Sequence, residues 1–428
     1  MKRSLNLALA LVTLTGSALA ASSTGGGPRC GLSAPVDRAP DESQQVGQQV
    51  EQQTYIDVVF VLDTTGSMGG LIEGAKQKIW SIANAISQTQ QTPVIRFGLV
   101  GYRDRGDEYV TKMTPLTEDI DTMYADLMGY QARGGGDTPE SVNEALFQAV
   151  ERFDWTSEEG SLKLIYLVGD APPKMEYVDD VKYQASCKLA KEKRININTI
   201  QCGSIGSTDR FWQEISQLAN GAYAKIEQSG GVVAIATPYD KQLAELNQRF
   251  QRTMLDYGND DIRSYQYAKR ARSKSISAGA APEAEADRAV YNISSAGTAN
   301  AYGKQELVND VVNGTVKIQE VKKDELPEEL QSLTLEEIKA EITRQQAQRE
   351  KITAQIKELA SKRAAYLLEN QSNAGKDGFD QKVLDALIEQ GARVGIEFKS
   401  ASHSDPKPGP ESESEPETKP QPKETSKD

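Results

Sequence analysis

Tyr55-Ile-Asp-Val-Val-Phe-Val-Leu-Asp-Thr-Thr-Gly-Ser67 decides how the rest of this chain is read. Ile56 to Leu62 is a short apolar run rich in β-branched residues, the pattern of a strand buried on both faces. It ends in Asp63, Thr65 and Ser67, whose oxygen-bearing side chains alternate around Gly66. Leu71, Ala75, Ile79, Ile82, Ala83 and Ile86 then follow at helical spacing. A strand tip feeding a helix is where open α/β sheets bind ligands. One carboxylate with two hydroxyls at such a tip suits a hard cation such as Mg²⁺, which takes oxygen ligands.

The same rhythm continues outward. Val94 to Tyr102 reads as a second strand, Arg103 to Asp107 as a turn, and Tyr109 to Met113 as an antiparallel edge. Asp119 to Met128 is a short helix. The loop Ala132-Arg-Gly-Gly-Gly-Asp-Thr-Pro-Glu140 permits close backbone approach through its glycines. Asp137 or Thr138 would cap the next helix, with Pro139 in its first turn. Ser141 to Phe153 is amphipathic through Val142, Ala145, Leu146, Ala149, Val150 and Phe153. Leu162 to Val168 is a further continuous apolar strand, ending in Gly169-Asp170-Ala-Pro-Pro173. Helix Val181–Lys193, strand Ile195–Gln201, helix Asp209–Ala219, strand Tyr223–Ile226 and a closing helix Tyr239–Leu255 complete the alternation. Such alternation demands an α/β, doubly wound, mostly parallel sheet of six strands with right-handed crossovers.

Asp63-Thr-Thr-Gly-Ser67 resembles the Asp-x-Ser/Thr-x-Ser signature of the von Willebrand factor type A domain, a Rossmann-like fold. Thr138 matches the family's threonine in a Gly-rich loop before a helix, and Asp170 matches its second aspartate. The resemblance covers Tyr55 to about Tyr257. It looks most like the branch also found beside α-kinases, although no kinase domain follows. Thr65 stands for the commoner serine and Gly-Asp-Ala-Pro for Thr-Asp-Gly, and the hydroxyl and carboxylate chemistry survives both changes. The resemblance implies a metal-ion-dependent adhesion site. Thr65, Ser67 and Thr138 would be hydroxyl ligands, and Asp63 and Asp170 would hold the ion directly or through water. Mg²⁺ is the expected ion, with Mn²⁺ or Ca²⁺ as alternatives, and an acidic residue of a partner protein would complete its shell. The expected function is an exported, metal-dependent protein-binding module and not an enzyme. A metal-dependent hydrolase and a metal-free scaffold are the competing readings.

Composition narrows the field. A formal charge of −13 argues against nucleic acid and anionic membrane as general partners. The single histidine, His403, lies in a Pro/Glu/Ser-rich tail, which removes His-based triads and most zinc sites. Three cysteines are too few for a disulfide scaffold. Cys187 on a helix and Cys202 at the top of the next strand would stand on the order of 15 Å apart in height, beyond disulfide reach. They read as small buried hydrophobes, while Cys30 could still pair with either. Lys2 and Arg3, an apolar segment Leu5–Leu14 and Ala18-Leu-Ala20 make residues 1–20 an expected signal peptide. Periplasmic or secreted localisation follows as an expectation, and no later apolar run is long enough for a membrane span. Residues 21–54 read as a flexible leader. Arg105-Gly-Asp107 invites an integrin-ligand reading, but a charged hairpin tip explains it equally well and short motif matches carry false positives.

Beyond Tyr257 the signal changes. Residues 258–288 read as a linker, with Arg263, Lys269, Arg270, Arg272 and Lys274 as solvated charge and Ser275–Asp287 as loose chain. Residues 289–399 read as an accessory region, with short strands at Val290–Ile293 and Thr315–Val321. A long helix over 334–370 opens with a Thr334/Glu337 capping box. Ile338, Ile342, Gln345, Arg349, Ile352, Ile356, Leu359, Arg363 and Tyr366 form a coiled-coil-like seam with polar interruptions. That seam would pair with another copy or fold back on Gln381–Glu389, and packing within the chain is preferred. Residues 400–428 read as a disordered tail.

Overall fold

The computed structural model describes residues 53–89, 93–231, 235–370 and 378–398. The expected signal peptide, leader residues 21–52, Cys30, His403 and the tail 400–428 lie outside the described residues. The strands are β1 (Tyr55–Asp63), β2 (Val94–Tyr102), β3 (Thr111–Thr117), β4 (Leu162–Gly169), β5 (Asn196–Cys202) and β6 (Tyr223–Ile226). They form one sheet in the order β3-β2-β1-β4-β5-β6, parallel throughout except for the edge pair of β2 with β3. This is the doubly wound, mostly parallel six-stranded α/β fold expected from the sequence.

β1 shows why the sheet sits in the middle. Successive side chains of a strand point to opposite faces. Ile56, Val58, Phe60 and Leu62 enter one apolar layer, and Val59 and Val61 the other. The second layer holds helices α3 (Val142–Glu151), α4 (Tyr183–Glu192) and α5 (Gly206–Leu218). The first holds α1 (Gly69–Ser87) and α2 (Ile120–Gly129). Asp57 interrupts the run yet is fully buried. Arg96 donates to it bidentately at 2.8 and 2.7 Å, and the Thr156 amide adds a bond of 2.9 Å. A buried carboxylate needs such pairing.

The sequence expects the helix around 239–255 to close this fold. Instead α6 (Asp240–Gln251) turns away from the sheet. Its Leu243, Leu246 and Phe250 pack with Ala286 and Ala289 of α8 (Pro282–Asn292) and Ile352 and Ile356 of α11 (Leu335–Asn370). The face over β4 and β5 is covered by α12 (Phe379–Arg393), from the far end of the described chain. Phe379, Val383 and Leu387 join the sheet core, and Tyr166 Oη on β4 donates to the Val383 carbonyl at 2.8 Å. The side chains of Asn198 and Gln390 exchange two buried hydrogen bonds, of 3.1 and 2.5 Å. The packing therefore crosses the expected boundary at 257.

Residues 258–288 are not a loose linker. They form α7 (Asp260–Gly279) and most of α8, with Ile276, Ala284 and Tyr291 reaching the sheet core. Ala- and Ser-rich composition here serves close helix packing. Lys274 is exposed as expected, but Lys269, Arg270 and Arg272 are partnered. Lys269 meets Asp119 at 2.8 Å, and Arg270 meets Asp256 at 2.6 Å. Arg288 is fully buried against Asp121 (2.8 and 2.6 Å), Glu285 (2.9 Å) and Ser273 (2.6 Å). The expected strand Val290–Ile293 is the end of α8, and Thr315–Val321 holds one 3-10 turn, Ile318–Glu320. Between them lie α9 (Thr298–Tyr302) and α10 (Leu307–Val312).

The seam of α11 is buried at Ile338, Ile342, Gln345, Arg349, Ile352, Ile356, Leu359 and Arg363. Its capping box forms, with Thr334 N to Glu337 Oε2 at 2.8 Å and Glu337 N to Thr334 Oγ1 at 3.3 Å. The seam packs within the chain, but on α6, α8 and α10 rather than on residues 381–389. Its polar interruptions are anchors. Arg349 forks onto Glu306, with both bonds at 2.7 Å, and Arg363 reaches Asp240 at 2.6 Å and Asp287 at 2.7 Å.

Cys187 and Cys202 are free and fully buried, and burial pushes the Cys187 thiol up to about 12. Among the described residues no helix is long and apolar enough to cross a membrane.

Candidate metal centre at the strand tips

The chain runs β1, β2, β3 to one side of the sheet and then restarts at β4 on the other side of β1. Connections diverge at the C-terminal ends of β1 and β4, the switch point at which open α/β sheets form their ligand crevice. Asp63 closes β1, and Asp170 follows directly on β4.

Asp63 is fully buried. Its Oδ1 accepts from the Thr65 amide at 2.8 Å and from Thr65 Oγ1 at 2.6 Å, while Oδ2 has no hydrogen-bond partner. Burial raises its pKa from 3.8 to about 7. The two Thr65 bonds oppose the shift, and repulsion from Asp170 adds to it. Residues 66–68 make a single 3-10 turn before α1 begins, which leaves Ser67 exposed with its Oγ 3.5 Å from Thr65 Oγ1. Asp170 is buried. Its carbonyl accepts from Thr208 Oγ1 at 2.8 Å, and its Oδ2 accepts from Gln228 Nε2 at 2.7 Å.

The Gly-rich loop is pressed against this tip. Gly66 N donates to Gly134 O at 3.2 Å and Arg133 N to Thr64 O at 3.1 Å. Gly134 and Gly135 have φ of +77° and +81°, a region that favours glycine. A Cβ on Gly135 would stand 3.2 Å from Thr65 Cβ and 3.3 Å from Glu140 Oε1, tight contacts that add to the strain of its positive φ. Arg103 is buried beneath it, bonded to Thr64 O (3.2 Å) and Gln131 O (2.9 Å) and stacked on Tyr109.

The structure gathers Asp63, Thr65, Ser67 and Asp170. Thr138 is exposed on the Gly-rich loop, with no hydrogen bond to the other four among the described residues. It does not cap a helix either. α3 starts at Val142 after Ser141, so Pro139 lies upstream of the first turn. Extended backbone wins here, because Glu140 bridges to the segment after β4. Its N–H donates to Pro172 O at 2.9 Å, and its carbonyl accepts from Lys174 N at 2.8 Å.

Glu140 is the residue that reading the sequence passed over. Its side chain is buried with Oε2 unpartnered. Burial, then repulsion by Asp63, Asp104, Asp107 and Asp137, pushes its pKa up to about 9. The signal available was a glutamate directly after Gly-Gly-Gly-Asp-Thr-Pro, where a solvated helix start was assumed. The Arg105-Gly-Asp107 tripeptide is engaged internally. Arg105 forks onto Asp179 at 3.0 Å, and Asp107 accepts from the Gly135 amide at 3.1 Å.

Among the described residues no group of three or more His, Cys, Asp or Glu is arranged to hold a metal. What the crevice offers is two carboxylates with hydroxyls, all hard oxygen donors, one of them the unpartnered Asp63 Oδ2. A hard divalent cation fits that set.

Residues 57–238 match a family model described as the von Willebrand factor A domain. The chain is 30% identical over 124 residues to an ariadne-like RING finger protein of Acanthamoeba polyphaga mimivirus, covering 29% of this chain and 12% of that protein. It is 30% identical over 180 residues to von Willebrand factor A domain-containing protein 7 of Mus musculus, covering 42% and 18%. The matches thus span less than a fifth of these relatives' length. Among solved structures, the SpRpn10 VWA domain is similar at 14% identity and a TM-score of 0.32, covering 41% of this chain and 89% of that one. A mussel byssus proximal thread matrix protein 1, solved with a zinc-occupied MIDAS motif, is similar at 15% identity and a TM-score of 0.32, covering 40% and 42%.

Proposed function

Since this chain carries a von Willebrand factor A domain over residues 57–238, we propose that its strand-tip crevice is a Mg²⁺-dependent protein-binding site that captures a partner's carboxylate. Domains of this family are in general metal-dependent interaction modules and mostly non-catalytic. One observation carries the reading for this chain. Asp63 and Asp170, at the ends of the paired strands β1 and β4, share a crevice with the Thr65 and Ser67 hydroxyls, and Asp63 Oδ2 is buried without a partner. An unsatisfied buried carboxylate oxygen is costly unless something binds it.

Asp63, Thr65, Ser67 and Asp170 would hold the ion, with Thr138 approaching from the loop lip. When bound, the ion supplies one open position for an acidic side chain of the partner, which makes capture directional. The residues of the chain set the geometry around it. Thr65 fixes the Asp63 carboxylate, and Arg103 and the positive-φ glycines hold the loop close. Ser67 and Thr138 are the exposed members of the set, placed where a partner would arrive.

Calorimetric titration of metal-stripped protein with Mg²⁺, Mn²⁺ and Ca²⁺ tests this. Saturable one-site binding is expected, lost in Asp63→Ala. Equal uptake by the two proteins would sink the reading, and no uptake by either would leave a metal-free scaffold. A metal-dependent hydrolase has one observation in its favour, the buried Glu140 carboxyl beside the strand tips with its Oε2 unpartnered. Turnover of model ester or phosphoester substrates that needs both Mg²⁺ and Glu140 would replace capture by catalysis.

The module would act after export, on the strength of the charged, apolar and small-residue order of residues 1–20. Mass spectrometry of the native mature protein is expected to find Ala21 first. An intact N-terminus on the accumulated protein would remove export from the proposal.

A further inference from the structure

The segment after β6 returns over the crevice and brings Gln228 to it from outside every motif the sequence offers. Gln228 Nε2 donates to Asp170 Oδ2 at 2.7 Å and to the Ser67 carbonyl at 3.3 Å. Both are acceptors only, so the amide can face them only with its NH₂ group. Its Oε1 lies against Gly203, where any Cβ would overlap it and where φ is +72°. Glycine at 203 thus keeps the space in which the Gln228 amide is seated.

The segment itself is held from two sides. Ser229 lies flat on Gly70 at the start of α1, 2.9 Å from where a Cβ would stand. The Gly230 carbonyl accepts from the amide of Phe379, the first residue of α12, at 3.0 Å. Two hydrogen bonds joined by the backbone from Gln228 to Gly230 therefore connect Asp170 to α12, about 150 residues further along the chain.

We infer that Gln228 is a positioning residue for the metal centre, orienting Asp170 and the Ser67 turn for the cation and tying both to α12. This rests on the metal reading above. Carboxylates that ligate metals are themselves oriented by hydrogen bonds, and losing such a partner typically weakens metal binding about 10–100-fold. A carboxylate oxygen accepting one N–H keeps lone pairs for an ion, so Gln228 and the cation do not exclude each other. Gln228 is exposed overall and contributes nothing to the core, so its replacement leaves the fold intact.

The test is Mg²⁺ calorimetry on the full chain as wild type, Gln228→Ala, Gln228→Asn and Asp63→Ala. Hydrogen exchange of the first turn of α12 is followed with and without saturating Mg²⁺. Both Gln228 variants are expected to bind one ion about 10–100-fold more weakly, since asparagine is too short to reach Asp170, while their melting in chelator matches wild type. Mg²⁺ is expected to slow exchange at the start of α12 in the wild type and to leave it unchanged in Gln228→Ala at saturation. A merely structural glutamine would leave the affinity where it was. Wild-type affinity in Gln228→Ala, or a Mg²⁺-dependent change at α12 that persists in it, overturns the inference while the metal reading stands. Absence of Mg²⁺ uptake by the wild type overturns both.

Discussion

Replacing Arg349 with alanine is expected to lower the unfolding free energy by about 3–5 kcal/mol, the usual cost of removing one partner of a buried ion pair. Arg349 sits mid-seam on α11, 4% exposed, with its guanidinium forked onto Glu306 at 2.7 Å twice. It also donates to the Thr253 carbonyl at 2.7 Å and hydroxyl at 2.9 Å, just past the end of α6, and lies over the Tyr302 ring. Glu306 accepts from the Leu255 and Asn309 amides at 2.7 and 2.8 Å, so it caps α10 and holds the chain after α6 at once. Alanine would leave that carboxylate buried and uncompensated. The double variant Arg349→Met with Glu306→Gln keeps the shape and most caps without a stranded charge, and should recover much of the loss. Urea unfolding of the wild type, Arg349→Met, Glu306→Gln and the double variant measures the coupling, with Arg349→Ala measured beside them. A loss below about 1 kcal/mol in Arg349→Ala would mean that α11 does not depend on this anchor.

Metal-stripped protein is expected to lose stability as pH rises from about 4 to above 7. Burial lifts Asp63 from 3.8 to about 7 and Glu140 from 4.5 to about 9. For an acid whose folded pKa is raised, the contribution is fully present below the unfolded value and disappears as pH climbs through the folded one. Asp63 alone accounts for about 4 kcal/mol across that window. Asp63→Asn removes the ionisation, so its stability should be flatter between pH 4 and 7, and at neutral pH it should be more stable than the wild type in chelator. Saturating Mg²⁺ should remove the Asp63 part of that slope, because metal binding displaces its proton and grows stronger as pH rises. Denaturant midpoints at several pH values, with and without Mg²⁺, give both slopes. Parallel wild-type and Asp63→Asn profiles in chelator would show that Asp63 is already ionised at low pH.

Much of this was open to a reader of the sequence. A strand buried on both faces has to be apolar at every position, so β1, β2 and β4 announce themselves, and a helix facing a core has to repeat its apolar residues every three to four. The seam of α11 came out from Ile338 to Arg363, polar positions included, because the period is local, while Tyr366 beyond it is only half-buried. The places of Asp63, Thr65, Ser67 and Asp170 at the strand tips were legible for the same reason, being fixed to strand ends a few residues long. Thr138 and Glu140 were harder. Whether a Gly-rich loop enters a helix at once or first pairs with another segment depends on Pro172 and Lys174, more than thirty residues away.

The tertiary structure alone decided which helix closes the sheet over β4 and β5, what α7 and α8 cover, and which carboxylates meet Arg349 and Arg363. Periodicity says that a face is apolar but not which surface it will bury, and α6 and α12 are alike in that respect. The ion pairs join residues 43 and 123 apart in sequence, and no local pattern connects them. Gln228 belongs to the same class. It carries no motif, and it reaches Asp170 because the sheet order places β6 two strands from β4 and the turn after it folds back across the tips. The sequence determined the layers and the placing of Asp63, Thr65, Ser67 and Asp170 at the strand tips through short-range period and spacing. Long-range shape and charge complementarity determined how the C-terminal helices are used to hold them.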